Sequence, residues 1–363
     1  MEAPIPDSLT IRSLTARAVI APLARPLRTA SGEIPAAPLL LIDIATDQGI
    51  TGRAYLFGYT KVTLRALKAL TEDLAPLLVG KPCTPQDRAA ECERAFRLLG
   101  RQGLLGMALS GIDMALWDAL GRALNQPVAA LLGGAPRAID AYDSFGLIDI
   151  RDDAKRLERA LAQGFRAIKV KLGGGSLEAD VKVVREVRGI VGAQTRLMVD
   201  YNQSLSAPEA IRRLQALQPY DLAWVEEPVP AEDLIGHATV RASKLAPVQT
   251  GENWWFAADM AKAIEAKACD HAMPDIMKIG GVTGWLKAAA LAEAASLPVS
   301  SHIFIEASAH VLPVTPTALY LEYLDSAGAI LKDPLPVVDG KVTARGPGLG
   351  MEWNETAVAK YAA

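Results

Sequence analysis

The sequence predicts an α/β protein in which a small α+β domain precedes a parallel βα barrel. Three observations carry that reading. From about residue 137 onward, short apolar runs alternate with amphipathic helical stretches. The runs are AIDAYDSF, FRAIKVK, TRLMVD, LAWVEE, PVQTGE, HAMPD, LPVSSH and ALYLEYL, enough to close a barrel. Most of them also end in ionisable residues, as strands do when their C-terminal ends converge on one site.

The first part of the chain has another rhythm. LTIRSLTARAVIAPL, PLLLIDIATDQG and ITGRAYLFGY, within about 9–57, read as extended segments, with Asp47-Gln48-Gly49 as a hairpin-type turn. TKVTLRALKALTEDLAPLL (60–78) then places apolar residues at three- and four-residue spacing. LLGMALSGIDMALWDALGRAL (104–124) does the same and is apolar enough to expect burial. In the barrel region, 177–191, 207–218 and 284–295 read as helices. The expected divisions are a small α+β domain over 1–132, the barrel over 133–330, and a Gly/Pro-rich segment over 331–363 that packs back on the first domain.

Composition narrows the class. Half of the 363 residues are hydrophobic and 22% are charged, which fits a folded enzyme and not a disordered chain. With 38 basic and 41 acidic residues the net charge is −3, so no cationic field is available for nucleic acid or an anionic membrane. Cys83, Cys92 and Cys269 are too few and too scattered for a disulfide framework, and the expected compartment is the reducing cytosol. MEAPIPDSLTIRSL lacks the basic start and apolar core of a signal peptide. No uncharged apolar run reaches the roughly 18 residues of a membrane span.

The strand ends carry the chemistry. Lys169 and Lys171 end one run; Asp200, Glu226 (with Glu227 after it), Glu252, Asp275, His302 and Glu322 stand at the ends of others. From Asp200 onward the spacings are 26, 26, 23, 27 and 20 residues, each about one βα unit. Alone, each acid would serve equally as a helix cap or a lysine partner. Three carboxylates on adjacent strands, Asp200, Glu226 and Glu252, would repel one another, and a hard divalent cation resolves that. With no Cys or His among them, Mg2+ is expected and zinc is not. Lys169 and Lys171, two apart on a strand, point to one side, where two ammonium groups should lower each other's pKa toward that of a usable base. Asp275 behind His302 would fix its tautomer and make a second base. Glu322 is either a protonated acid that donates to an oxyanion or a salt-bridge partner of a lysine. Together these groups suit removal of a proton from the carbon next to a carboxylate, through an enediolate. The outcome is racemisation, or loss of a β-leaving group.

KVK (169–171), MVDYNQS (198–204), WVEEP (224–228), TGEN (250–253), MPDIMKIGGVTGW (273–285) and SSHIF (300–304) resemble the enolase superfamily, and within it the mandelate racemase subgroup. PLARPLRTASGEIPAAPLLLID (22–43), YLFGYT (55–60), SGIDMALWDALG (110–121), AYDS (141–144), TPTALYLEYLD (315–325) and PGLGMEW (347–353) extend the resemblance over essentially the whole chain. The resemblance implies a modified (β/α)7β barrel under a capping domain whose two loops close over the site. It implies Mg2+, with Mn2+ as a substitute, on Asp200, Glu226 and Glu252. Lys171 would be the base for one enantiomer and His302, backed by Asp275, for the other. Lys169 and Glu322 would polarise the carboxylate, and Asn202, Ser144, Tyr59, Leu27, Thr29 and Ile34 would line the substrate site. The expected substrate is a small 2-hydroxy acid, mandelate or an aromatic analogue, and the expected assembly is a homo-oligomer, an octamer.

The chain also departs from that pattern. Leu27, Ser31 and Ile34 stand where mandelate racemases carry valine, and Phe145 and Gly146 follow Ser144 in place of histidine and serine. Leu27 and Ile34 keep an apolar wall that suits an aromatic side chain, as does Tyr59. The second reading is an acid-sugar dehydratase with the same bases, with Arg28, Ser31 and Glu33 as polar lid residues. A third, a metal-binding scaffold without activity, would require a lost base or ligand, and none is lost.

Overall fold

The computed structural model describes residues 9–30 and 32–363, so Ser31 lies outside the described residues. The N-terminal part is an antiparallel sheet of β1 (Ile11–Thr29), β2 (Gly32–Thr46) and β3 (Thr51–Phe57), in that order. Its alternating apolar residues face α1 (Lys61–Asp73) and α3 (Leu104–Ala123), and α2 (Pro85–Ala95) packs on α3. The expected turn at 47–49 joins β2 to β3, and Gly49 supplies its positive φ of 77°. Helix α3 is long and apolar enough to cross a membrane by length and composition. However, 83% of its apolar window is buried inside the protein, as expected of a core helix. Gly52 on β3 lies directly on the α3 backbone: a Cβ there would collide with the Ala115 carbonyl.

After the short α4 (Val128–Leu131), strands and helices alternate. The strands are β4 (Ile139–Leu147), β5 (Ala167–Lys171), β6 (Arg196–Asp200), β7 (Leu222–Glu226), β8 (Val248–Thr250), β9 (His271–Ala272) and β10 (Leu321–Tyr323). Between them run α5 (Ile150–Ala162), α6 (Leu177–Val191), α7 (Ala207–Leu217), α8 (Leu234–Ala242), α9 (Phe256–Glu265), α10 (Ile276–Ile279), α11 (Gly281–Ala294) and α12 (Ile305–Val311). The strands pair in parallel in the order β10-β4-β5-β6-β7-β8-β9. The LPVSSH run does not form a regular strand. It closes the ring through Val299, which bridges Ala272 on one side and Ala318 on the other. Pro298 has no N–H to extend the ladder there.

Below the strand ends the interior is filled by Tyr142, Met198 and Trp224, the two rings meeting edge to face at 5.6 Å. This layer is the floor of the site. The C-terminal part, with β11 (Lys341–Val342) paired to β4 and α13 (Glu355–Lys360), returns to the N-terminal sheet. Trp353 Nε1 donates to Asp43 at 2.7 Å, Arg53 pairs with Glu352 at 2.7 Å, and Arg17 pairs with Glu355 at 2.6 Å.

Candidate active site

β5, β6 and β7 end in Lys171, Asp200 and Glu226, while Glu252 and Asp275 lie just beyond β8 and β9 and Glu322 lies within β10. In β5, Ile168 and Val170 join the main core, while Lys169 and Lys171 point inward. Successive registers place Lys171 beside Asp200 and Asp200 beside Glu226. Asp200, Glu226 and Glu252 each offer one oxygen, these lie within 4.8 Å of one another, and all three residues are buried. Burial, opposed by Lys169 but reinforced by Asp200, Glu322 and Glu252, pushes Glu226 up to about 8. Such crowding of oxygen-only donors fits a hard divalent cation, and Mg2+ is the ion the triad suits.

The lysines behave differently from the sequence expectation. Burial does disfavour their charged forms, but Glu226 and Glu322 around Lys169, and Asp200 around Lys171, outweigh it, and both pKa values are raised. Lys169 pairs with Glu226 and, at 2.7 Å, with Glu322; Lys171 pairs with Asp200. The carboxylates, not the neighbouring ammonium, set the lysine protonation. Glu322 is likewise an ionised salt-bridge partner rather than a protonated donor. Burial favours its neutral form, but Lys169 and His302 pull it down to about 2, and it accepts from the Ile303 amide at 2.9 Å.

His302 sits at the end of the Val299 segment, where its backbone bridges Asp275 in parallel. Its Nδ1 meets Asp275 Oδ2 at 2.6 Å, and its Nε2 faces Glu252 at 3.3 Å. Burial opposes the imidazolium, but Glu252, Asp275 and Glu322 prevail and raise it to about 9. Around the ring, Lys171 and His302 stand apart. Asp200, Glu226, Glu252 and Asp275 occupy one arc between them, and Glu322 and Ser144 the other.

A cavity of about 990 Å³ opens above these groups. Lys171, Glu252, His302 and Glu322 line it, as do the expected Leu27, Thr29, Ile34, Tyr59, Ser144 and Asn202. Lys169, Asp200, Glu226 and Asp275 lie beneath its surface, fully buried. Tyr59 OH, Ser144 Oγ and Asn202 Oδ1 are buried with no hydrogen-bond partner among the described residues. The departures after Ser144 have a structural reading. Phe145 turns into the core under the Arg156 guanidinium, 3.8 Å from its ring centroid. Gly146 faces β1 so closely that a Cβ would come 2.7 Å from the Arg28 carbonyl. Of the polar lid residues weighed for a sugar, Glu33 lines the cavity; Arg28 does not and pairs loosely with Glu33 at 3.8 Å.

The structure adds residues the sequence reading passed over. Asn253 donates to Glu227 Oε2 at 2.8 Å and approaches Glu252 Oε1 at 3.4 Å. Lys278, on α10, donates to Asn253 Oδ1 at 2.6 Å. Arg25, Arg156 and Gln203 also line the cavity. The only sequence signal was proximity: Asn253 follows Glu252 and Lys278 stands three residues after Asp275.

Comparison with known proteins agrees with this geometry. Residues 11–133 match the model of the mandelate racemase / muconate lactonizing enzyme N-terminal domain, and residues 152–357 match the enolase C-terminal domain-like model. A 3,6-anhydro-alpha-L-galactonate cycloisomerase of Streptomyces coelicolor is 32% identical over 84% of this chain and 86% of its own. A D-galactonate dehydratase of Xanthomonas axonopodis pv. citri is 32% identical over 87% and 89%. A crystal structure from Bradyrhizobium, described as an enolase complexed with magnesium and mandelic acid, is 56% identical, with a TM-score of 0.97 and 99% of each chain covered. The chain is a magnesium-dependent enzyme of the enolase superfamily and belongs to its mandelate racemase / muconate lactonizing enzyme family.

Proposed function

We propose that this enzyme removes the α-proton of a 2-hydroxy carboxylate between Lys171 and His302, and that its substrates are acid sugars, which it dehydrates. The observation that carries the proton chemistry is the placement of these two groups on either side of a buried three-carboxylate cluster. The curated relatives support the sugar over the mandelate expected from sequence motifs, since their names are those of sugar-acid cycloisomerases and dehydratases. The cavity lining supports it too, since Arg25, Arg156, Asn253 and Asp143 add polar groups that a polyhydroxylated acid can use.

Bound Mg2+ would supply a fixed positive charge that stabilises the enediolate oxygens. Lys169 donates toward the same carboxylate while Glu322 holds its ammonium in place. One of Lys171 and His302, in its neutral form, takes the α-proton. The other, protonated, donates to the departing β-hydroxyl, which leaves as water. The enol product then ketonises to a 2-keto-3-deoxy acid. The unpartnered Ser144 hydroxyl can donate to the substrate's carboxylate, and the unpartnered Asn202 Oδ1 can accept from a substrate hydroxyl.

Racemisation of mandelate is the second reading, favoured by the mandelic acid in the Bradyrhizobium structure and by the apolar wall of Leu27, Ile34 and Phe57. One assay separates them. Purified enzyme with Mg2+ is incubated in D2O with an aldonate and aldarate panel and with (R)-mandelate. Formation of 2-keto-3-deoxy acids supports dehydration. Deuterium exchange with loss of optical rotation on mandelate alone overturns the sugar reading in favour of the racemase.

A further inference from the structure

Lys278 belongs to none of the strand ends, yet it is buried at the seam between lid and barrel. Its ammonium lies 4.8 Å from the ring centroid of Tyr59, a capping-domain residue held at a φ of 58°. The same ammonium donates to Asn253 Oδ1 at 2.6 Å, and Asn253 in turn faces Glu227 and Glu252. All three residues, Tyr59, Asn253 and Lys278, line the substrate cavity.

We propose that Lys278 is a positioning and specificity residue. Its ammonium seats the lid tyrosine, orients Asn253 against Glu252, and carries a fixed positive charge that favours anionic acids over the metal's hold on the carboxylates. The inference rests on the reading that a carboxylate substrate binds above Asp200, Glu226 and Glu252. A cation one hydrogen-bonded residue away from Glu252 repels Mg2+ and attracts an acid, so its removal moves the two affinities in opposite directions. A residue that only supports the fold would weaken both together.

The test compares wild type with Lys278→Met, which keeps the aliphatic stem, and Lys278→Arg, which keeps the charge. Mg2+ is titrated calorimetrically into EDTA-stripped protein without substrate. Binding of galactarate and (R)-mandelate is then measured at saturating Mg2+. The expected result for Lys278→Met is several-fold tighter Mg2+ binding with at least tenfold weaker acid binding, and for Lys278→Arg both constants near wild type. Parallel loss of both affinities in Lys278→Met, or no change in either, overturns the proposal. If wild type takes up Mg2+ but binds neither acid, the proposed function fails, and the direction of the Mg2+ change alone decides the role of Lys278.

Discussion

His302 and Asp275 are joined at 2.6 Å, Nδ1 to Oδ2, by backbones that also bridge in parallel. The second oxygen of Asp275 accepts from the Met277 amide at 2.6 Å and caps α10. One carboxylate therefore fixes a helix and an imidazole at once, which aims Nε2 at the cavity.

Asp275→Asn keeps the cap but presents an amide to Nδ1, which spoils the tautomer that leaves Nε2 free to accept a proton. The expected loss is about 10²-fold or more in the step His302 serves, with thermal unfolding little changed. Because Asp275 is one of the carboxylates that raise His302, the pH limb assigned to His302 should move to lower pH. Rate profiles against pH for wild type and variant check both statements.

Bound Mg2+ would offset the burial and the neighbouring carboxylates that push Glu226 up to about 8. It should stabilise the fold as well as activate it, by about 2.7 kcal/mol at a hundredfold excess over Kd. EDTA is expected to lower the unfolding temperature and abolish activity, and added Mg2+ to restore both. In Glu252→Gln the metal-dependent stabilisation should shrink markedly. A melting curve indifferent to Mg2+ in wild type would contradict the assignment.

Gly146→Ala is expected to act on the lid rather than the core. Its Cβ would stand 2.7 Å from the Arg28 carbonyl and 3.0 Å from the Arg28 amide, so β1 must lift. Acid binding should weaken several-fold while Mg2+ affinity stays as in wild type. Steady-state KM and calorimetric Mg2+ titration measure the two separately.

Asp113 gives a stability signature away from the metal. Burial pushes its carboxyl up to about 7, against hydrogen bonds from the Thr283 amide and hydroxyl. A raised folded-state value means its contribution is complete below about pH 4 and is lost as pH rises through 7. Asp113→Asn removes that titration. Its melting temperature relative to wild type should therefore climb between pH 4 and 8, and a constant offset would argue against the shift.

Much of the architecture was legible because barrel strands advertise themselves twice, by apolar runs and by their polar last residues. The helix expected over 177–191 is α6 with the same bounds, since both of its ends carry recognisable stops at Ser176 and Gly192. The Val299 segment was less legible. It reads as a strand, but its ring contacts are single bridges. Protonation states were the least legible. Spacing showed that Lys169 and Lys171 share a side, but only three dimensions show Glu226, Glu322 and Asp200 closing on them. Lys278 and Asn253 were missed because they act across the seam between cap and barrel, which no periodicity within one element encodes.

The return of the C-terminal part to the first sheet has a consequence for synthesis. Asp43, Arg53 and Arg17 find Trp353, Glu352 and Glu355 only after some 300 further residues have emerged. On the ribosome the cap would wait with these groups hydrated and its outer edge unsealed, while β10 has yet to reach β4. Cap and barrel are therefore expected to lock in one late event, and a nascent chain stalled before residue 352 should be far more sensitive to protease than the released protein.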